Sequence, residues 1–416
     1  MATNNIPKHW QVKKLSEIGK SVTGTTPPKN DTTNYGNDIP FVKPPQLFDS
    51  VITNAPEKLS TKGASFARIL PENSVLITCI GNLGRTAINK VPVAFNQQIN
   101  AVIPSKEING KFLFYQAQSH SFKSQLDELS SATTVAIVNK GKFETIRIVL
   151  PPLSEQLVIV SKIEELLSDL ENGKQQLLTA QQQLKVYRQS LLKAAFEGKL
   201  TSTSLSKQKE GELPKGWKWL TINDIGKIKG GKRLPPKHQY SEEPTDYIYI
   251  MAGNLKDGTV KNKSTYIKEE TYNVLTNYIV TGGEVYITIV GACIGDAGVI
   301  PENISKSILT ENAAKIIDLK DIHNKFLSLW INSVHCQTQI KSKILSATLG
   351  KLALNRIGTL EVPLAPISEQ NQIVEILESK LTVCDKIEET ISQSLLQAET
   401  LKQSILKKAF EGKLIK

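Results

Sequence analysis

Apolar residues recur every seven positions over two long stretches of the chain. The first stretch carries Ile163, Leu170, Leu177, Leu184 and Leu191 on one track and Leu166, Gly173, Ala180, Tyr187 and Ala194 on the other. The second stretch carries Leu377, Cys384, Ile387, Ile391, Ala398, Leu401 and Ile405. This period predicts two long helices, each with the apolar seam of a coiled coil. About 43 helical residues would form a rod on the order of 65 Å.

Both predicted helices have start and stop signals. The prolines at 151 and 152 cannot lie inside a helix, so we expect Ser154 to be the N-cap of the first helix and Ser368 to begin the second. Gly198 and Gly412 are predicted to end them. A single helix would leave its seam in water, so we expect the two helices to pair antiparallel, with the preceding domains at opposite ends. The alternative is that each helix folds back on its own domain.

The segments before each helix read as short strands separated by turns. We predict matched strands at 75–80 and 285–290, and a second matched pair at 39–42 and 247–250. Shorter helical segments are predicted near 111–129 and 325–343. The fold class predicted for each domain is therefore α+β.

The matched segments belong to a duplication that spans almost the whole chain. The string AFEGKL at 195–200 returns at 409–414, and the opening IPKHW at 6–10 returns as LPKGW at 213–217. The helix start LSEQ at 153–156 returns as ISEQ 214 residues later. Two copies of roughly 200 residues are too few for a solenoid, so they predict a tandem domain duplication.

Charge is distributed unevenly over these parts. The chain carries a net charge of +11, yet residues 154–200 hold six basic and six acidic residues, and residues 368–416 hold seven and eight. The basic surface therefore belongs to the two domains, which favours a polyanion such as DNA as partner. The alternative is a surface charge that serves solubility alone.

Composition narrows the class of protein further. No apolar run approaches the 18 residues of a membrane span, and the amino terminus is unlike a signal peptide, so we expect a cytoplasmic protein with no membrane partner. The four cysteines have neither zinc nor disulfide spacing, and we expect them in the core or on helices. They are Cys79, Cys293, Cys336 and Cys384.

Strand segments agree between the two copies while loop segments differ, as expected if the domains read different base sequences. Arg suits guanine edges, Asn and Gln suit adenine edges, and Lys suits phosphates or guanine. Any one of these residues could instead be a solvated loop residue, so the prediction concerns the set. The candidate DNA-binding residues are Lys43, Gln46, Asn82, Arg85, Asn139, Lys140, Lys232, Arg233, Asn254, Lys256, Lys351 and Asn355.

Several enzyme signatures are absent from the sequence. The segment 226–232 has the spacing of a phosphate-binding loop, but Arg233 stands where Ser or Thr would bind magnesium, and the prolines at 235 and 236 block the following helix. The Asn-Pro-Pro-Tyr and Asp-Pro-Pro-Tyr strings of amino-methyltransferases do not occur, nor does a Pro-Asp dipeptide of the nuclease type. The five histidines are scattered. We therefore predict no catalytic residue, no metal site and no cofactor in this chain.

The paired opening, helix-start and helix-end strings resemble those of the specificity subunits of type I restriction-modification systems. The resemblance covers residues 6–415. It implies a first target-recognition domain at 1–151, a central helix at 152–200, a linker at 201–212, a second target-recognition domain at 213–365 and a C-terminal helix at 366–416. The family usually has an acidic residue in the loop after residue 42, where this chain has Gln46 and Asn254.

By this resemblance each domain would read half of a split site in double-stranded DNA. The helices would set the spacing and dock two modification subunits, through seam residues Ile163, Leu170, Leu177, Leu184, Leu191, Leu377, Ile391, Leu401 and Ile405. S-adenosylmethionine would bind to the modification subunits, and restriction subunits would supply translocation and cleavage with ATP and magnesium. The alternatives are a methyltransferase or nuclease that acts alone, and a coiled-coil scaffold that binds no nucleic acid.

Overall fold

The first head, residues 6–150, contains eleven strands among the residues described here. A computed structural model describes residues 6–48, 50–131, 135–201, 213–261, 265–344 and 350–415. The strands are β1 (Gln11–Lys14), β2 (Gly19–Thr23), β3 (Tyr35–Val42), β4 (Ser50–Ile52), β5 (Lys58–Leu59), β6 (Ile69–Leu70), β7 (Val75–Thr78), β8 (Thr86–Asn89), β9 (Val93–Phe95), β10 (Ile99–Pro104) and β11 (Arg147–Leu150). Its helices are α1 (Leu15–Ile18), α2 (Thr61–Ser65), α3 (Gly110–Gln118), α4 (His120–Leu129) and α5 (Lys140–Glu144).

The second head, residues 213–365, repeats this arrangement. Its strands are β12 (Lys218–Thr221), β13 (Lys227–Gly230), β14 (Tyr240–Ser241), β15 (Ile248–Ile250), β16 (Leu255–Lys256), β17 (Thr259–Val260), β18 (Tyr266–Ile267), β19 (Ile279–Val280), β20 (Val285–Thr288), β21 (Ala297–Val299), β22 (Ser307–Leu309), β23 (Ala313–Ile317) and β24 (Glu361–Leu364). The long helices are α6 (Leu153–Phe196), which precedes this head, and α12 (Ile367–Phe410), which follows it. The helices of the head are α7 (Ile222–Ile225), α8 (Glu269–Val274), α9 (Asn324–Ile331), α10 (Val334–Lys343) and α11 (Leu354–Ile357).

Each head is built from two main sheets. In the first head the strand orders are β2-β10-β7-β8-β4 and β5-β3-β9-β6, and β1 pairs with β11. In the second head they are β13-β23-β20-β21 and β14-β18-β15-β22-β19, and β12 pairs with β24. All four residues of β7 and all four of β20 are buried, as the apolar runs predicted. The α+β fold class predicted from the sequence is confirmed.

The two predicted helical segments of the heads are each broken into two helices. Ser119 ends α3 and caps α4, because its Oγ accepts a hydrogen bond from Phe122 N at 3.3 Å. Ser333 Oγ accepts one from Cys336 N, also at 3.3 Å, at the start of α10. A serine hydroxyl that satisfies the first amides of a new helix favours a break at that point.

Both long helices are 44 residues long, and they begin at Leu153 and Ile367. Ser154 therefore lies in the first turn, so its prediction as the N-cap is wrong, and the second helix begins one residue before Ser368. At the other end the prediction of a glycine stop is confirmed. Gly198 has φ of +69° and Gly412 of +71°, and Lys199 N donates to Ala194 O at 2.8 Å. This is the Schellman arrangement that ends many helices.

The chain forms two units, each made of one head and parts of both long helices. The first unit holds residues 1–178 and 392–416, and the second holds residues 179–391. Of the predicted linker 201–212, Thr201 alone lies within the described residues.

The helices pair antiparallel within each unit. In the first unit Lys174 Nζ lies 2.6 Å from Glu399 Oε1. In the second unit Arg188 Nη2 lies 2.7 Å from Asp385 Oδ1 and 3.0 Å from Glu388 Oε2. Because residue numbers rise on one helix as they fall on the other, the predicted antiparallel coiled coil is confirmed.

The seam of this coiled coil differs from the predicted one on its second track. The fully or nearly buried residues of the first track are Ile163, Leu184, Leu191, Leu377, Cys384, Ile391, Ala398 and Ile405, and Leu170 and Leu177 are half-buried. Of the predicted second track, Leu166, Gly173, Ala180 and Ala194 are half-buried, whereas Tyr187 and Leu401 are 47% and 50% exposed. Lys174 and Arg188, one position beyond Gly173 and Tyr187, are also half-buried and pair with the other helix. Charged side chains therefore take part in the seam, and an apolar period could not reveal them.

The repeated motifs meet one another in each unit. Trp10 Nε1 donates to Glu155 Oε2 at 2.8 Å, and Trp217 Nε1 donates to Glu369 Oε2 at 3.0 Å. A Cβ on Gly412 would lie 2.4 Å from Pro7, so glycine is required for this close approach. The opening, helix-start and helix-end strings therefore anchor each head to the ends of the long helices.

Candidate nucleic-acid interface

Three loops of the first head meet beyond the end of β7: 79–85, 96–98 and 135–139. Cys79 N donates to Gln98 O at 2.9 Å, which joins the first two loops. Gly81 N donates to Ala136 O at 2.9 Å, which joins the third. Side chains from distant parts of the sequence are thereby gathered at one end of the sheet.

The same three loops meet beyond β20 in the second head: 289–296, 310–312 and 350–355. Ile289 N donates to Asn312 O at 2.8 Å, and Leu352 N donates to Ile289 O at 3.0 Å. The hydrogen bonds join equivalent segments, so the two heads present equivalent loop clusters.

The loop after the central strand has the same backbone pairing in both heads. Thr78 N donates to Arg85 O at 2.9 Å, and Thr288 N donates to Asp296 O at 2.9 Å. The residue before each is a glycine with positive φ. Arg85 and Asp296 therefore occupy equivalent positions, although the second loop is one residue longer.

Lys43 and Gln46 are held within the first head. Lys43 Nζ forms an ion pair with Glu57 and lies 5.5 Å from the centre of the Phe41 ring. Gln46 Oε1 accepts a hydrogen bond from Lys43 N at 2.8 Å. In the second head Asn254 Oδ1 accepts from Met251 N at 2.8 Å in the same way.

Asn82 and Arg85 lie in the loop after β7. Asn82 is exposed at its tip. The Arg85 guanidinium lies 4.4 Å from the centre of the Phe48 ring, which is 63% exposed. A cation stacked on an aromatic face is held in one orientation while its N–H groups remain available at the edge.

Asn139 and Lys140 lie at the start of α5. Asn139 Oδ1 accepts a hydrogen bond from Lys142 N at 2.9 Å, and Lys140 Nζ lies 3.5 Å from Glu144 Oε1. Asn139 is thus the N-cap of a helix whose amino end faces the loop cluster.

Lys232 and Arg233 lie in the turn after β13. Lys232 Nζ lies 5.9 Å from the centre of the Tyr278 ring, and Arg233 Nε donates to Glu311 Oε1 at 2.8 Å. Burial alone would raise the pKa of Glu311, but hydrogen bonds from Arg233 and from Tyr249 outweigh it and lower that pKa. Arg233 is thus paired with a carboxylate of its own head.

The other three candidates of the second head point into solvent. Lys256, Lys351 and Asn355 are all exposed. Lys351 bridges to Val290 through its backbone, which places it beside the loop after β20. Lys256 lies two residues after Asn254, at the position equivalent to Phe48.

Three residues near these loops were missed by sequence reasoning: Phe48, Gln97 and Glu311. In the first head, Thr26 Oγ1 donates a hydrogen bond to Gln97 Oε1. In the second head, Arg233 and Glu311 occupy the equivalent positions and form a hydrogen bond of their own. An alignment of the two copies extended through these loops would have found the divergence, because Gln97 and Glu311 differ by the offset of 214 that relates the helices.

The described part of the chain lacks the side-chain groups of a metal centre. Within it, no group of three or more His, Cys, Asp or Glu side chains could hold a metal ion. Among the same residues, every helix is too short or too polar to cross a membrane.

The family model for the type I restriction modification DNA specificity domain matches the chain twice, at residues 7–180 and 214–397. The chain belongs to this family. The specificity subunit of the type I restriction enzyme EcoBI of Escherichia coli is 28% identical over 424 residues, which cover 99% of this chain and 87% of that protein. The EcoKI specificity subunit of Escherichia coli strain K12 is 23% identical over 434 residues, which cover 100% and 91%.

Solved structures share the fold. A chain from work on complex assembly and conformational transition of the type I R-M system has a TM-score of 0.78 at 16% identity, and the match covers 98% of this chain and 99% of that chain. The HsdS subunit of Thermoanaerobacter tengcongensis has a TM-score of 0.62 at 18% identity, with 98% of each chain covered. The resemblance stated from the sequence motifs is confirmed at the level of family and fold.

Proposed function

We propose that this chain is the DNA-reading subunit of a type I restriction-modification complex and that each head recognises one half of a bipartite site in double-stranded DNA. The observation that carries the proposal is the pair of loop clusters, which share a backbone and differ in side chains. Identical clusters would read one sequence twice, whereas clusters that differ at Arg85 and Asp296 suit two different half-sites.

The basic character of the heads supports DNA as the partner. Lys256 and Lys351 are exposed beside the second cluster, and Lys140 is exposed beside the first. Contacts between lysines and phosphates release counterions, so binding should fall steeply as salt rises.

We further propose that the paired helices dock two modification subunits. Both helices expose large apolar side chains, with Val186 at 68% and Leu396 at 73%. Tyr187 and Leu401, at equivalent positions of the two copies, are both about half exposed. Apolar surface of this kind favours a protein partner, and two equivalent surfaces favour two copies of it.

In this proposal the specificity chain supplies no catalytic group. The modification subunits bind S-adenosylmethionine and transfer the methyl group, and restriction subunits use ATP and magnesium for translocation and cleavage. The complex acts in the cytoplasm.

The direct test is methylation of a random DNA library by the purified chain, alone and together with a modification subunit. We expect methylation at one bipartite sequence with both proteins, and none with the chain alone. Methyl transfer by the chain alone would contradict the proposal, and so would affinity for DNA that does not change with salt.

A second test concerns spacing. Lys174 and Glu399 face each other across the two helices, so residues 174–180 and 393–399 can be removed together as facing heptads. Seven residues of helix correspond to about 10 Å, or roughly three base pairs, and the gap between half-sites should shorten by that amount. Insertion of a second copy of both heptads is the matched control and should lengthen the gap equally. An unchanged gap in both variants would contradict a spacing role.

A further inference from the structure

The two loop clusters carry opposite charges at one equivalent position. Arg85 and Asp296 both follow a glycine with positive φ and both accept, through the backbone oxygen, from the threonine that ends the central strand. The backbone is thus the same, and the side chain changes from a guanidinium to a carboxylate. Divergence of charge on a shared scaffold is expected where the side chain serves recognition and the backbone serves the fold.

Arg85 is oriented for contact with a partner. Its guanidinium stacks on Phe48 at 4.4 Å, and among the residues that the structure describes no carboxylate lies at ion-pair distance from it. Arg233 of the second head differs, because its Nε donates a hydrogen bond to Glu311 Oε1 at 2.8 Å. Arg85 is therefore the stronger candidate for a direct base contact.

Asp296 stands in the second head without the aromatic support of its counterpart. The residue equivalent to Phe48 is Lys256, and the two described side chains form no ion pair with each other. Asp296 is exposed, and its carboxylate can accept two hydrogen bonds. A carboxylate repels phosphates, so a position of this kind on a DNA-facing loop suits contact with a base.

We propose that Arg85 and Asp296 are the matched specificity-determining residues of the two heads. Arg85 binds a guanine of the first half-site through O6 and N7, and Asp296 accepts a hydrogen bond from the exocyclic amine of a cytosine in the second half-site. This inference rests on the proposed function, because it assumes that each head reads DNA.

The test is selection of methylated duplexes from a library randomised in both half-sites, using the complex with its modification subunit. Arg85→Asp should replace a guanine preference with a cytosine preference at one position of the first half-site and leave the second unchanged. Asp296→Arg should do the reverse in the second half-site. Each swap uses the side chain that the same scaffold already carries in the other head.

Two milder variants distinguish loss of base recognition from loss of charge and from loss of stability. Arg85→Lys keeps the charge but loses the bidentate fork, so preference for guanine at that position should fall roughly 5- to 150-fold. Phe48→Leu removes the stacking surface and should weaken preference at the same position. Because Phe48 is exposed and Arg85 is half-buried, the unfolding temperature of the complex should stay close to that of the complex with the parent chain.

The outcomes distinguish this inference from the proposed function. If the parent complex selects a bipartite sequence but Arg85→Asp weakens all duplexes equally, with a salt slope lower by about 1, Arg85 contacts a phosphate and the inference is overturned. If Asp296→Arg leaves the base preference in the second half-site unchanged, the role proposed for Asp296 is overturned. If the parent complex shows no sequence preference, the proposed function itself fails.

Discussion

The carboxyl end of each long helix packs against a head through a phenylalanine. The two phenylalanines occupy equivalent positions of the repeat, so their contributions to the stability of the two heads can be compared. Phe196 at the end of α6 is 6% exposed and makes edge-to-face contacts with Phe326, at 5.1 Å between ring centres, and Trp330, at 5.0 Å. Phe410 at the end of α12 is 8% exposed and makes one such contact, with Phe112 at 5.4 Å, among the described rings. We predict that alanine at either position loosens the head that the helix end enters.

The magnitudes follow from burial and ring contacts. Replacement of a buried Phe by Ala costs about 3–5 kcal/mol, and each aromatic pair adds about 0.5–1.5 kcal/mol beyond area burial. Phe196→Ala loses one more aromatic pair than Phe410→Ala. The first variant should therefore cost about 1 kcal/mol more than the second.

The assay is hydrogen exchange followed along the chain, because two units need not unfold together and a single unfolding free energy would mix them. Phe196→Ala should reduce protection in the second head, and Phe410→Ala in the first. Leu396→Ala is the control, since Leu396 is 73% exposed and its loss should change stability by less than about 0.5 kcal/mol. The reasoning is refuted if Phe196→Ala behaves like this control, or if it loosens the first head instead of the second.

Two further predictions follow from the titrating groups. Burial raises the pKa of Cys79 and Cys336 to about 12, whereas Cys293 is exposed in the loop after β20, so a thiol reagent should modify Cys293 first and specific duplex DNA should slow the reaction. Equal rates with and without DNA would place this loop away from the interface. Burial acts to raise the pKa of Glu155, but the hydrogen bonds from Trp10 and His9 together outweigh it, so the folded-state pKa lies below the ordinary 4.5. That stabilisation is present above about pH 4.5 and is lost as pH falls through the folded-state pKa, so the Tm of Glu155→Gln should fall less than that of the parent chain between about pH 6 and pH 3.5. Identical falls in both proteins would show that the contact contributes nothing.

The loops of the candidate interface were predictable from the sequence, and the side-chain contacts within them were less so. Arg85 and Asn82 were expected from the Gly-bounded loop after a buried strand, and the structure places both at the loop cluster. Phe48 was missed because a lone aromatic residue in a polar loop has no periodic partner. Its role is visible once folding places it beneath Arg85, 37 positions later in the chain.

The sequence by itself determined the duplication, the two long helices and the buried central strands, because periodicity, proline and glycine act on neighbouring residues. Tertiary structure alone decided which charged side chains pair with one another. Lys43 pairs with Glu57, Arg233 with Glu311 and Lys174 with Glu399. These partners are separated by 14, 78 and 225 residues. Local patterns cannot specify contacts across such separations, since they arise only when the sheets and helices bring the segments together.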